Sequence, residues 1–286
     1  MFSRIAVFGL GLLGGSICRG LRSISHQGEI IAFARDPGKL GDALRGRVID
    51  RVISMEAARL DGIDLLIICT PVFHSIELLN TILNDSGLGA TSLVIDVGSV
   101  KSPIVEAALA NPRADRFVGC HPMAGSERTG YGASRHDLYN QAPVIITPHA
   151  RNARGDIEKV AGFWRSLGAV VVEAEASFHD SVVARTSHLP HLLACSAMHA
   201  IGGLAESMGP GLTNFMGNGF RDVTRIAAGS PEMWADIFAA NGTNIAAAAR
   251  DTIKIIEDVI ARIEANGDPR MIADFFDRAR ELRKGI

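Results

Sequence analysis

Residues 4–16 read RIAVFGLGLLGGS, and this stretch decides the fold. RIAVFGL is an apolar, β-rich run that reads as a strand, and a helix is expected from about Leu12. At the junction stand Gly9, Gly11 and Gly14, in G-x-G-x-x-G spacing. In that setting the glycines permit the tight turn, let backbone approach a pyrophosphate, and allow close packing of helix on strand. The helix N-terminus adds amide donors and a partial positive charge. The motif alone is weak, but here it occupies the first strand–helix junction of an α/β pattern, the context it requires. Dinucleotide binding is therefore expected, with Gly9, Gly11, Leu12, Leu13 and Gly14 at the cofactor.

Outward from that stretch the α/β pattern continues. Strand-like runs recur at EIIAFA, DLLIICT, SLVIDVG, RFVGC, APVIITP and AVVVEA, and helical segments such as PIVEAALA and DIEKVAGFWRSLG lie between several of them. Such alternation implies a mostly parallel sheet covered on both faces. From about Ala176 strand signals fade. Long helical segments follow: HLLACSAMHAIGGLAESM, EMWADIFAANGTNIAAAARDTIKIIEDVIARIEA and PRMIADFFDRARELRK, interrupted by GPGLTNFMGNGF. The expected fold class is α/β: a Rossmann-like dinucleotide-binding domain over residues 1–175 and an all-helical domain over 176–286. About 110 residues of apolar helix do not readily bury their own surface, so this second part is expected to pair with a second copy of the chain as a homodimer.

Composition narrows the classes. The chain has 286 residues, a formal net charge of −2, and 21% charged residues. Nothing there points to nucleic acid or an anionic membrane. No apolar run is long enough to span a bilayer. The N-terminal run has no basic region before its apolar core and leads straight into the glycine motif, so it reads as a strand rather than a signal peptide. Cys18, Cys69, Cys120 and Cys195 form no C-x-x-C pair and sit among apolar neighbours, as buried reduced thiols of a cytoplasmic protein would.

The end of the second strand bears on the cofactor. An acid there would bind the adenine ribose 2′-hydroxyl, whereas an arginine can pair with a 2′-phosphate. In EIIAFARDPGKL a strand ending at Phe33 puts Ala34 at the expected acidic position, followed by Arg35 and Asp36. Arg35 favours NADP. A two-residue shift would bring Asp36 into place and restore an NAD-type contact.

Ligands of open α/β sheets bind beyond the carboxyl ends of the strands. Polar signals stand at three such ends: Thr70-Pro71, then Ser99 and Lys101 of DVGSVK, then His121 of GCHPMAGSE. A histidine after a strand often only caps backbone groups, but this one belongs to the nucleotide crevice, where a side chain titrating near neutrality can move a proton. In TSHLPH, His188 and His191 should sit at the start of a helix that tolerates Pro190 in its first turn. They read as polar lining of a pocket. A metal site with His179 as third ligand lacks a completing carboxylate or cysteine, and none is expected. Arg221 and Arg225, four apart, would share a helix face and could grip a carboxylate or simply face solvent.

GLGLLGGS, DVGSVK, HPMAGSE, TSHLPH and GFRDVTRIA, in this order, resemble the prephenate/arogenate dehydrogenase family of tyrosine biosynthesis over nearly the whole chain. With no chorismate mutase or C-terminal regulatory segment, the resemblance is to the monofunctional form. It implies NAD(P)-dependent oxidative decarboxylation of prephenate or arogenate, by a protein dimeric through its helical domain. His121 would accept the hydroxyl proton, and Ser99 would bond the same hydroxyl and help orient His121. Arg225 would grip a substrate carboxylate. His191, Ser126, Glu127 and Arg221 would line the pocket, and Trp234 would close near the substrate side chain. A β-hydroxyacid type of dehydrogenase shares the glycine loop and helical domain but uses a helix lysine, which HLLACSAMHAIGGLAESM lacks. A non-catalytic NADP-responsive regulator could dispense with His121 or Arg225, yet both are present.

Overall fold

The structure is a computed structural model and describes residues 2–126, 128–265 and 269–285. Among these, eight strands form one sheet: β1 (Arg4–Phe8), β2 (Glu29–Ala34), β3 (Arg51–Ser54), β4 (Leu65–Ile68), β5 (Leu93–Asp96), β6 (Phe117–Pro122), β7 (Pro143–Thr147) and β8 (Val170–Glu173), in the order β3-β2-β1-β4-β5-β6-β7-β8. All neighbours pair in parallel except β6 and β7, which are antiparallel. The expected mostly parallel sheet is present. β2 ends at Ala34, one residue beyond the expected Phe33.

Side chains of successive strand residues point to opposite faces, so a continuous apolar run feeds two cores. Ile5 and Val7 of β1, Leu65 and Ile67 of β4, and Leu93 and Ile95 of β5 pack on one side. There α1 (Leu12–Ser23) contributes Ile17 and Leu21. The short α2 (Gly41–Arg45) follows β2. On the other side Ala6, Phe8, Leu66, Ile68 and Val94 meet Leu79 and Ile82 of α3 (Val72–Asn84) and Ile104 and Val105 of α4 (Ser102–Leu109). Phe8 and Phe33 stack with ring centroids 4.7 Å apart. On the first side α5 (Arg154–Ser166) adds Val160 and the fully buried Trp164.

Helices alone follow: α6 (Ala176–Val183), α7 (Leu189–Ala200), α8 (Gly202–Met208), α9 (Asn218–Thr224), α10 (Pro231–Ala240), α11 (Gly242–Glu264) and α12 (Pro269–Lys284). Two of the long helical segments expected from sequence are each two helices, broken at Ile201 and at Asn241. Between α6 and α7 the backbone opens into a π-type turn over Ala184–His188, a distortion that recurs at functional sites. Pro190 lies in the first turn of α7, as expected. Ile237 of α10 enters the sheet's second core and ties the helices to the α/β part. On α11, Ile253, Ile256, Ile260 and Ile263 follow one another at helical spacing and are 46–55% exposed. That is an apolar stripe left on the surface of a single chain.

Candidate active site

The glycine loop has the conformation its spacing implies. Gly9 has φ +93°, and a Cβ there would lie 2.5 Å from the Cys69 carbonyl oxygen. A Cβ on Gly14 would lie 2.3 Å from the Gly9 carbonyl oxygen and 3.1 Å from Cγ1 of Val7, so the helix packs directly on the strand. A Cβ on Gly11 would meet nothing within 4 Å. Gly11 caps α1 without a side-chain hydrogen bond, and no acid stands in the first turn. The open face, the bare helix N-terminus and its partial positive charge fit a dinucleotide pyrophosphate.

Two cavities meet at this loop and share Gly11, Cys69, Thr70 and Pro71 as walls. The loop follows β1 and Thr70-Pro71 follows β4, on either side of the point where strand order reverses. The larger cavity, about 970 Å³, runs along Ala34, Arg35, Asp36, Lys39 and His74. Asp36 is committed locally: its carboxylate accepts from the Gly38 amide at 3.1 Å and lies 3.7 Å from Nζ of Lys39. The smaller cavity, about 550 Å³, is walled by Leu12, Leu13, Ser99, His121, Ser126, His188 and Trp234. Nearly all of the expected cofactor residues, together with Ser99, His121, Ser126 and Trp234, thus line one continuous groove.

His121 closes β6 and is 8% exposed. Its Nδ1 lies 2.7 Å from Nε2 of His179, whose Nδ1 lies 2.8 Å from Oδ1 of Asp180. His179 and Asp180 are on α6 and almost fully buried. The Asp180 carboxylate also accepts the backbone amides of Lys101 at 2.8 Å and Ser102 at 2.7 Å, at the start of α4. Burial pushes Asp180 upward, but the hydrogen bonds from His179 and from Lys101 and Ser102 outweigh it and leave Asp180 below its ordinary value. Burial, reinforced by His179, Lys101 and His188, drives His121 well below the ordinary imidazole range. His121 is therefore neutral near pH 7.

His188 is held from behind. Asn241 donates one Nδ2 hydrogen to the Asp180 carbonyl oxygen at 2.8 Å and lies 3.2 Å from Nδ1 of His188. Burial lowers His188 to about 4, so the ring is neutral and its Nδ1 accepts from Asn241. Nε2 then carries the hydrogen. Among the described residues this buried Nε2 has no partner, and the ring lines the smaller cavity. It is a donor waiting for a ligand.

Other expected residues stand elsewhere. Lys101 does not face the crevice: it is fully buried, its ammonium bonded to the Asp96 carboxylate and, at 2.9 Å, to the Cys120 carbonyl oxygen. Asp96 in turn accepts the amides of Gly98 at 2.8 Å and Cys120 at 3.0 Å, so the pair locks the loop that carries Ser99 to the strand that carries His121. The residue against Nδ1 of His121 is His179, not Ser99. His191 is buried and stacks on Trp234, with centroids 3.5 Å apart and planes 8° from parallel. It supports the Trp234 wall from behind. Arg221 lies in α9 and Arg225 directly follows it, where the helical backbone tightens into a 3-10 turn over Arg225–Ala228. Arg221 is exposed and donates to the carbonyl oxygens of Met216 and Thr213 at 3.2 and 3.4 Å. Arg225 is exposed and heads the turn that leads to Gly229 and Ser230 on the cavity wall. Glu127 lies outside the described residues. No role is expected of Asp180 or Asn241 from the sequence, and His179 enters there only as the third member of a metal set that is not expected. The adjacent His-Asp pair opening a helix in ASFHDS was the one available signal.

A family model described as "Prephenate dehydrogenase, nucleotide-binding domain" matches residues 17–173, and another, "Prephenate dehydrogenase, dimerization domain", matches residues 175–277. Prephenate dehydrogenase of Bacillus subtilis is 32% identical over 100% of this chain and 76% of its own length. Cyclohexadienyl dehydrogenase of Zymomonas mobilis is 30% identical over 84% of this chain and 82% of its own. The crystal structure of prephenate dehydrogenase from A. aeolicus, in complex with hydroxyphenyl propionate and NAD+, superposes with a TM-score of 0.89 at 28% identity, covering 100% of this chain and 98% of that one.

Proposed function

The chain belongs to the prephenate dehydrogenase family, and on that premise we propose that it catalyses NAD(P)-dependent oxidative decarboxylation of prephenate to 4-hydroxyphenylpyruvate, or of arogenate to tyrosine. The observation that carries the reading is His121: neutral, almost buried, and on the wall of a cavity continuous with the dinucleotide groove.

The cyclohexadienol ring would lie in the smaller cavity with its hydroxyl toward His121 and Ser99. His121 takes the hydroxyl proton, and the O–H electron pair becomes the second bond of a developing carbonyl. When bound, the nicotinamide accepts the hydride from that same carbon. The C–C bond to the carboxylate on the opposite ring carbon then breaks. Its electron pair completes the aromatic ring, carbon dioxide leaves, and His121 returns the proton to the phenolate oxygen. A neutral imidazole suits both transfers. The unpartnered Nε2–H of His188 supplies a donor to a substrate oxygen, and the Trp234 face, backed by His191, closes the apolar side. Ser126 belongs to the rim of the same pocket, and Arg221 and Arg225 to the segment that leads to it. A carboxylate reaching out of the cavity would find Arg225.

We favour NADP over NAD. Arg35 lies at the end of β2 where Ala34 stands in place of an acid, and Asp36 is occupied by its own turn and Lys39. Residues 1–175 form the dinucleotide-binding domain and 176–286 the helical one. The isoleucine stripe of α11 belongs in a homodimer interface. The four cysteines, all among the described residues, are free thiols, in keeping with a cytoplasmic enzyme.

The test is nicotinamide reduction by the purified protein with prephenate or arogenate, each with NAD and NADP. Turnover in any of the four combinations supports the activity and ranks both substrates and both cofactors. Silence in all four, with dinucleotide binding intact, overturns it.

A further inference from the structure

We propose that His179 and Asp180 are positioning residues for His121: the pair fixes which His121 nitrogen is free to take the substrate proton and shares the positive charge that results. The inference rests on His121 being the proton acceptor of the reaction proposed above.

Counting donors and acceptors gives the tautomers. Asp180 receives the amides of Lys101 and Ser102 and is ionised, so it can only accept from His179. Nδ1 of His179 therefore carries hydrogen. In a neutral His179 the Nε2 is a lone pair, and its 2.7 Å contact must accept the Nδ1–H of His121. His121 is neutral, so its Nε2 is left as the bare lone pair for the cavity. No other tautomer of the chain satisfies both contacts without protonating a ring.

When Nε2 of His121 takes the substrate proton, the imidazolium's Nδ1–H already points at His179, and the new charge sits one ring from a buried carboxylate. That contact is short and charge-assisted. The other ionisable groups around His121 do not do this. Lys101, ahead of α4, is paired with Asp96 of β5, and His188, in the π-type turn, is a neutral ring held by Asn241. Asp180 is the negative group in line with the transfer. It is anchored at the start of α4 and bonded through its own carbonyl to Asn241, so the chain is rigid at both ends.

The test has two readouts. The first needs no turnover: nitrogen-15 shifts of the His121 ring in the histidine-labelled protein, with NADP bound. The Nδ1–H tautomer is expected in the wild type, and a mixture in Asp180→Asn and His179→Leu. A wild-type His121 with its hydrogen on Nε2 overturns the proposal whatever the activity. The second is kcat against pH for the wild type, Asp180→Asn, His179→Gln and His179→Leu. Glutamine can still accept from His121 and donate to Asp180, but cannot take up charge. The plateau of kcat should fall roughly hundredfold or more in Asp180→Asn and His179→Leu, and less in His179→Gln, with the dinucleotide Kd unchanged. Loss of the carboxylate makes protonated His121 less stable, so the acid limb of Asp180→Asn should move to lower pH. A purely structural role would lower the amount of folded protein without moving that limb. Wild-type plateau and limb in Asp180→Asn overturn the proposal. Absence of wild-type turnover with the expected tautomer refutes the activity and leaves the pairing standing.

Discussion

Two substitutions in the glycine loop should separate folding from binding. Gly9→Ala puts a Cβ at φ +93° and 2.5 Å from the Cys69 carbonyl oxygen, with the Cys69 carbonyl carbon at 3.0 Å. Both neighbours are backbone at the end of β4, which cannot yield cheaply. Strain at that φ costs about 1–3 kcal/mol and overpacking about as much again, so a loss near 4 kcal/mol is expected. For a chain of this size that lowers Tm by roughly 10 °C. Gly11→Ala is the contrasting case. Its backbone is extended, at φ −90° and ψ −151°, and its Cβ meets no protein atom within 4 Å. The small N-cap preference for glycine over alanine opposes the gain from a stiffer unfolded chain, so stability should stay within about 1 kcal/mol. The Cβ instead occupies the face that the pyrophosphate must approach. Dinucleotide affinity should fall tenfold or more, about 1.4 kcal/mol or above. Thermal melts of the cofactor-free variants, with calorimetric titration of NADP and NAD, test both. A Gly11→Ala protein that binds normally, or that melts as early as Gly9→Ala, refutes the assignment of the open face to the cofactor.

Other consequences follow from the same geometry. His121→Asn should abolish measurable turnover while the dinucleotide Kd stays within about twofold of wild type; near-normal turnover would remove His121 from the chemistry. Arg35→Ala should weaken NADP about tenfold or more and leave NAD unchanged, as measured by titration calorimetry. Ile256→Asp with Ile260→Asp places carboxylates in the exposed stripe of α11 and should convert a dimer to a monomer by light scattering. Stability should fall with acid. His121 and His188 titrate lower in the folded chain than the ordinary 6.5, His188 at about 4. Below pH 6.5 the unfolded chain binds more protons than the folded one, so each ring removes up to about 1.4 kcal/mol per pH unit, down to its folded pKa. Denaturant midpoints at pH 7, 6 and 5 should decline in step, and a flat profile would mean that these rings are not buried neutral.

The parts of the fold that could be read in advance are those in which a local pattern and the tertiary environment agree. RIAVFGL, DLLIICT and SLVIDVG are apolar on both strand faces because both faces are covered, so their runs are unmistakable. β3 carries no such signal, because RVIS is four residues long and only partly buried at the edge of the sheet. The helix breaks at Ile201 and Asn241 are hidden in the sequence for the opposite reason. Apolar residues continue through both, and the interruption comes from Gly202 and from a polar Asn241 whose side chain is called inward by the Asp180 carbonyl oxygen.

The site divides along the same line. Residues that meet ligand stand in short, chemically dense motifs next to strand ends, and Ser99, His121 and Thr70 could be placed from topology alone. Residues that act on those residues carry no such mark. Lys101 stands two positions after Ser99 and reads as another cleft residue. Yet it turns inward, because an ammonium and the Asp96 carboxylate neutralise each other where a loop must be fixed to β6. His179 lies 58 positions from His121, and Asp180 is 79 from the amide of Lys101 that it accepts. Such separations leave no periodicity to detect. What betrays them is a charge that would be costly to bury unless every lone pair were used, and each oxygen of Asp180 is used. A carboxylate buried and satisfied in that way, one ring behind a neutral histidine on a cavity wall, is hard to explain as packing alone. An apolar side chain would fill the space without needing the three hydrogen bonds that settle the carboxylate.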